Sequence, residues 1–339
     1  KFKLKKISYV MYNSLPNYSN PNIKDFKIMS KAIDMKRFFK KLLVRFPASE
    51  KGGDATVVNG LTDTGLVRDH NEDAYIVLHN ETNLGNVDAV MAVADGMGGH
   101  AAGEIASSIT IADIKSKFNT GEHQTLDARE FLKFLRRTLE TANKNVLEAG
   151  QDNNKRGMGT TCTLAALRAG KLYYAHVGDS RAYLIRQGRM RQITTDHSWV
   201  QESVDAGILT AQEARTHPNR NVITRAVGLD SEVKVDLGSH ELKNGDLIVL
   251  CSDGLNSMIS DAAIENIIHS CSDNDLCQAL VNSAKEAGGE DNITVITARV
   301  GLSKSKYEEY VDLSDRDTVD IESDDSILNK FRGLFRNPI

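Results

Sequence analysis

A chain of 339 residues that is 40% hydrophobic and 26% charged has the composition of a globular protein, with length for one large domain or two small ones. Its formal net charge of −4 gives no general attraction to nucleic acid or to an anionic membrane. Four cysteines without a C-x-x-C pair suggest neither a zinc knuckle nor a disulfide framework and fit a reducing cytoplasm, and no apolar run approaches the roughly 18 to 20 residues that span a bilayer.

From Lys1 to Phe46, Lys and Arg far outnumber acids, and Met35 to Phe46 has a short basic amphipathic pattern. Residues 1–55 are read as a poorly ordered basic extension, with Met29 or Met35 as candidate natural starts. The folded domain is expected over residues 56–301. Short β-branched and aromatic runs predict strands at Thr56–Gly60, Ala74–Leu78, Ala89–Ala94, Thr163–Leu167, Leu172–Val177, Ala182–Ile185, Leu247–Cys251 and Ile293–Ala298. Helices are predicted at Ala101–Phe118, Ala128–Leu147, Asp261–His269 and Asp273–Ala287; in the second, Phe131, Phe134, Leu135, Leu139, Ala142 and Val146 share one face. Strands in clusters with helices inserted in pairs favour an α+β sandwich over a doubly wound parallel sheet. Residues 302–339 open with a solvated acidic block and close with a short apolar stretch, Ser326 to Phe335.

Five aspartates lie at the ends of these apolar runs beside Gly, Asn or Ser. They are Asp73 in Arg68-Asp-His-Asn-Glu-Asp73, Asp95 in Ala94-Asp-Gly-Met-Gly-Gly99, Asp179 in Val177-Gly-Asp-Ser-Arg181, Asp253 in Cys251-Ser-Asp-Gly254 and Asp291 in Glu290-Asp-Asn-Ile293. Strand ends of one sandwich fall along a common edge, so the carboxylates are expected to converge. Crowded carboxylates raise one another's pKa unless a cation neutralises them, and an oxygen-only set selects Mg²⁺ or Mn²⁺ over zinc. Gly96, without a side chain, can bring its carbonyl onto an ion held by Asp95, where a larger residue would crowd the ion. Taken singly, each Asp-Gly or Gly-Asp is also an ordinary turn. Gly96-Met-Gly-Gly-His-Ala101 further fits the dinucleotide fingerprint G-x-G-x-x-A, but no acid closes a second strand about 20 residues on.

The strings RDHNEDAY, ADGMGGHAAGE, GTTCTLAAL, VGDSRAYLI, TTDHS, CSDGL and EDNITVI, in this order, resemble the bacterial branch of the metal-dependent type 2C protein phosphatases. The resemblance implies a four-layer α-β-β-α sandwich with two central antiparallel sheets and a binuclear metal site at one edge. It implies two Mn²⁺ or Mg²⁺ ions, with Asp95 bridging them, the Gly96 carbonyl on one, and Asp253 and Asp291 on the other. Asp73 orders water in this scheme, Asp179 with Asp253 takes a weaker third ion, and Arg68 grips the substrate phosphate. Eukaryotic members place a His directly after the Asp-Gly pair, where this chain has Met97; His100 is the candidate general acid, the alternative being a helix cap. Residues 195–228 correspond to a flap beside the site. Thr160 and Thr161 are expected to cap or pair strands, and Arg181 to buttress a ligand loop.

The expected activity is hydrolysis of phosphoserine and phosphothreonine on proteins, opposing Ser/Thr protein kinases. Partners are phosphorylated proteins and those kinases, with a monomer in the cytoplasm. An inactive relative that binds phosphopeptides is the rival, and Thr318 in the acidic tail is a candidate phosphorylation site.

Overall fold

In the computed structural model, which describes residues 56–79, 84–98, 102–151 and 156–301, the architecture follows from which faces of the central strands are apolar. Successive residues of a strand face opposite sides. In β3 (Val87–Met97), Val90 and Ala92 join one apolar cluster, while Ala89, Met91 and Val93 join another. Both faces of this strand are therefore covered.

One sheet has the order β1 (Val57–Asp63), β11 (Ile293–Arg299), β10 (Leu247–Cys251), β7 (Arg181–Arg186), β8 (Arg189–Gln192). The other has the order β2 (Asp73–His79), β3, β5 (Cys162–Arg168), β6 (Lys171–Val177), β9 (Asp236–Glu241), and β4 (Gly159–Thr160) pairs the end of β3. All these pairings are antiparallel. That excludes the dinucleotide reading, because β3 has antiparallel neighbours on both sides and opens no parallel β-α-β unit.

Helices α1 (Ala102–Asn119) and α2 (Ala128–Ala149) pack on the second sheet. The core of the first sheet is closed by α6 (Asp261–Ser270) and α7 (Leu276–Glu286). A third apolar cluster lies between the sheets, which completes helix, sheet, sheet, helix. The stripe predicted for α2 is the buried one, from Phe131 to Val146. Its start is fixed by a capping box: Glu130 N donates to Asp127 Oδ1 at 2.8 Å, and Asp127 N donates to Glu130 Oε2 at 3.1 Å.

Three strands escape the sequence pattern. β4 is two residues long, and β8 (RMRQ) and β9 (DLGSHE) are edge strands with polar sequences held by backbone pairing. The helix predicted from Asp273 begins at Leu276, and the Asp273 carboxylate pairs with Arg299, with Nη2 to Oδ1 at 2.7 Å. Short helices α3 (Trp199–Asp205) and α4 (Ala211–Thr216) occupy the segment read as a flap, and α5 (Asp253–Asn256) follows β10. The basic extension, the acidic tail with Thr318, and His100 lie outside the described residues.

Candidate active site at the sheet edge

Strand register sets two of the five aspartates side by side, since Asp73 pairs with Asp95 across β2 and β3. Asp179 occupies the turn from β6 to β7, Asp253 opens α5 directly after β10, and Asp291 stands just before β11. The negative charges of Asp73, Asp253, Asp179 and Asp291 all reach Asp95; burial first, and then those four carboxylates, push its pKa well above the ordinary range. Asp253 is raised by burial and by Asp291, against a hydrogen bond with Asp95 and the charges of Arg68 and Arg181. Asp179 is raised by burial and then by Asp253 and Asp196. So many carboxylates cannot all ionise in one cleft without a cation.

Asp73 has the most fully built surroundings. Its Oδ2 accepts from Ser252 Oγ at 2.7 Å and from Thr294 Oγ1 at 2.6 Å. Behind Thr294 stands Thr62 at 2.7 Å, which in turn accepts from Asn71 Nδ2 at 2.9 Å. Burial outweighs these hydroxyls and holds Asp73 at about 7, with Asp253 and Asp291 adding to the rise. Both donors fall on Oδ2. Asp73 Oδ1 and Asp179 Oδ1 are buried and have no hydrogen-bond partner in the structure.

Buried, partnerless carboxylate oxygens in an all-oxygen cluster fit a hard divalent cation in kind. Among the described residues, however, no three of Asp, Glu, His and Cys are drawn together tightly enough to cage an ion as they stand. Asp291 is instead engaged by Arg68, with Nη2 to Oδ2 at 2.7 Å. The donor set is present and its closure is looser than a finished coordination shell.

Glycine at position 96 is required for a reason beyond the one read in the sequence. A Cβ there would fall 2.2 Å from Gly103 O and 2.5 Å from Glu72 O, so the crowding comes from α1 and the β2 approach. Gly96 lets the start of α1 close onto the Asp95 strand.

Asn292 was not singled out in the sequence, yet it joins two parts of the site. Its Oδ1 accepts from Glu72 N at 2.8 Å, and its Nδ2 donates to Thr64 O and to His70 O, each at 2.9 Å. The Arg68 loop is thereby clamped to the residue after Asp291. Ser252 and Thr294 were missed as well. Their one visible signal is a hydroxyl residue at a buried position of an otherwise apolar run.

Residues 195–228 are tied at one end to the turn that carries Asp179 and at the other, through Thr160, to the strand that carries Asp95. At one end His197 N donates to Gly178 O at 2.7 Å, and Gly178 N donates to His197 Nδ1 at 3.0 Å. At the other, Val227 and Thr160 exchange backbone bonds of 2.8 and 3.0 Å, while Thr160 Oγ1 and Thr161 N both donate to Asp95 O at 2.9 Å. Arg181 grips Asp196 at the foot of the segment, with Nη2 to Oδ2 at 2.6 Å. A cleft of about 290 Å³ lies here, with Asp179, Asp253, Asp261, Arg215 and Arg220 among its lining residues.

The family model described as Protein phosphatase 2C matches residues 67–287. Protein phosphatase PhpP of Streptococcus pneumoniae is 41% identical over 236 residues, which cover 69% of this chain and 94% of that protein. The serine/threonine phosphatase of S. agalactiae superposes with a TM-score of 0.67 at 39% identity, covering 72% of this chain and 99% of that one. The catalytic domain of the serine threonine protein phosphatase PstP, in complex with 2 manganese ions, superposes with a TM-score of 0.62 at 34% identity, covering 72% and 97%.

Proposed function

The chain belongs to the protein phosphatase 2C family and is a metal-dependent protein serine/threonine phosphatase, and from that premise we propose how its residues divide the work. Asp95, the Gly96 carbonyl, Asp253 and Asp291 hold two divalent ions, Mn²⁺ or Mg²⁺, while Asp179 with Asp253 takes a weaker third and Asp73 orders water. What such a pair supplies when bound is a water acidic enough to attack phosphorus near neutral pH. No protein nucleophile is called for. Burial pushes the Cys162 and Cys251 thiols up to about 12, so they stay protonated and inert.

The observation that carries this assignment is the convergence of five aspartates whose charges reach one another, supported by the likeness to a manganese-bound relative. Arg68 has half of its side chain exposed beside Asp291, and its planar guanidinium can turn two N–H donors toward phosphoryl oxygens. His100 is the proposed proton donor to the leaving serine or threonine oxygen. Residues 195–228 act as the flap that shapes substrate entry.

The substrates are phosphorylated proteins, and Ser/Thr kinases are the opposing partners. A reducing cytoplasm fits four cysteines that are all free, and the proposed enzyme acts as a monomer. No helix among the described residues is long and apolar enough to cross a membrane.

Hydrolysis of a phosphothreonine peptide by wild type and Asp253→Ala, first with chelator and then with added Mn²⁺ or Mg²⁺, tests the assignment. Turnover by wild type alone, and only with metal, is expected. Equal turnover by the variant would overturn the ligand roles.

A further inference from the structure

Just before Arg68 stand two large apolar side chains that the fold leaves in water. Leu66 is 63% and Val67 65% exposed. Single exposed apolar residues are ordinary on protein surfaces. These two differ in being the only sequence-adjacent pair of exposed large hydrophobics among the described residues.

They also sit on a loop that is held in place. Leu66 N donates to Gly289 O at 2.7 Å, and Gly65 N donates to Asp63 Oδ1 at 2.9 Å. Gly65 has φ +81 and approaches Asp291 so closely that a Cβ would fall 2.2 Å from the Asp291 carbonyl oxygen. Only glycine adopts that conformation at little cost. Asn292 then fastens the loop on either side of the pair, at Thr64 O and His70 O, each at 2.9 Å. Loops displayed on a rigid scaffold are where binding residues concentrate. An ordered loop that keeps leucine and valine in water also keeps their transfer free energy in reserve for a partner.

Continuity with Arg68 identifies the partner. Arg68 directly follows the pair in the chain, so a phosphorylated side chain gripped there would carry its own neighbouring residues within reach of positions 66 and 67. We propose that Leu66 and Val67 form an apolar shelf that receives an aliphatic side chain flanking the phosphorylated residue, so that the enzyme prefers phosphosites with Leu, Ile, Val or Met beside them. The inference rests on the phosphatase reading and on Arg68 as the phosphate grip. It adds a specificity element that stands outside the catalytic groups.

The test compares kcat/KM on a phosphothreonine peptide flanked by glycines with peptides carrying one Leu at each of the two positions on either side. One Leu position should raise kcat/KM for wild type about fivefold to tenfold, the size expected for a partly buried aliphatic contact. In the double variant Leu66→Ser, Val67→Ser that gain should fall below about twofold, with turnover of the glycine-flanked peptide unchanged. Leu66→Glu should shift the preference toward a Lys-flanked peptide. A wild type without flanking preference, or a gain that persists in the double variant, would overturn the shelf. Absence of metal-dependent turnover on the glycine-flanked peptide by wild type would sink the phosphatase reading and the shelf with it.

Discussion

Two polar regions lie inside this sandwich, and they are built to opposite ends. At His176, on β6, each ring nitrogen has a partner: Nδ1 meets Thr163 Oγ1 at 3.0 Å, and Nε2 meets Thr195 O at 3.1 Å. At the aspartate edge, which Asp179 joins a few residues further along the chain, Asp73 and Asp179 each keep a buried oxygen without a partner. The satisfied region is structural. Leaving carboxylate oxygens unpaired costs stability, and the proposed assignment reserves them for a cation and its water.

Replacing a crowded carboxylate should break the comparison most severely. Asp95→Asn is expected to lower kcat on a phosphothreonine peptide by a factor on the order of 10³ or more, because the ligand proposed to be shared by two ions is lost. The same change removes a carboxyl that burial first, and then its neighbours, keep from ionising at its ordinary pKa, so the metal-free variant should melt a few degrees above metal-free wild type, roughly the response to 1 kcal/mol in a domain of this size. A variant that is both inactive and less stable would show the carboxylate to be structural.

Removing a clamp from the satisfied class should lower stability and activity together. Asn292→Ala strands Glu72 N–H and two carbonyls, an expected loss of about 2 to 3 kcal/mol in urea unfolding. It should also weaken kcat/KM through the loosened Arg68 loop. An unchanged KM and kcat would remove Asn292 from the positioning machinery.

His176 predicts an acid sensitivity. Burial holds its folded pKa at about 3, against an ordinary 6.5. Above 6.5 both folded and unfolded forms are neutral, and below it only the unfolded chain takes the proton, so stability is lost progressively from pH 6.5 down toward 3. Between pH 7 and pH 5, metal-free wild type should lose about 2 kcal/mol more than His176→Gln. Equal losses would place the acid lability elsewhere. The smallest effect is expected from Thr294→Val, which removes one of two hydroxyl donors to Asp73 at about 1 kcal/mol, measured by thermal melting.

Much of the site was legible because its residues obey local rules. Asp73, Asp95, Asp179, Asp253 and Asp291 stand beside runs whose burial is plain from composition, so their convergence follows from the sandwich. The eight predicted strands are found, since each carries an apolar face. β8 and β9 were invisible because an edge strand needs only backbone pairing and can be polar. Asn292, Ser252 and Thr294 act through partners far away in sequence; Thr294 and Asp73 are 221 residues apart, and no local pattern records such a bond. A second reason for Gly96 was likewise hidden, because the atom it avoids belongs to Gly103 on a helix that only the fold brings near.

Calorimetric titration of Mn²⁺ into chelator-stripped protein, run at pH 6.5 in two buffers of different ionisation enthalpy, tests the central claim most directly. Raised carboxyl pKa values mean that the cluster retains protons when metal-free, so cation binding must expel them. The account predicts saturable binding of about two ions per chain, with net proton release that diminishes in Asp95→Asn. Absence of saturable binding, or binding with no proton release and no change in the variant, would contradict the reading of this edge as the metal site.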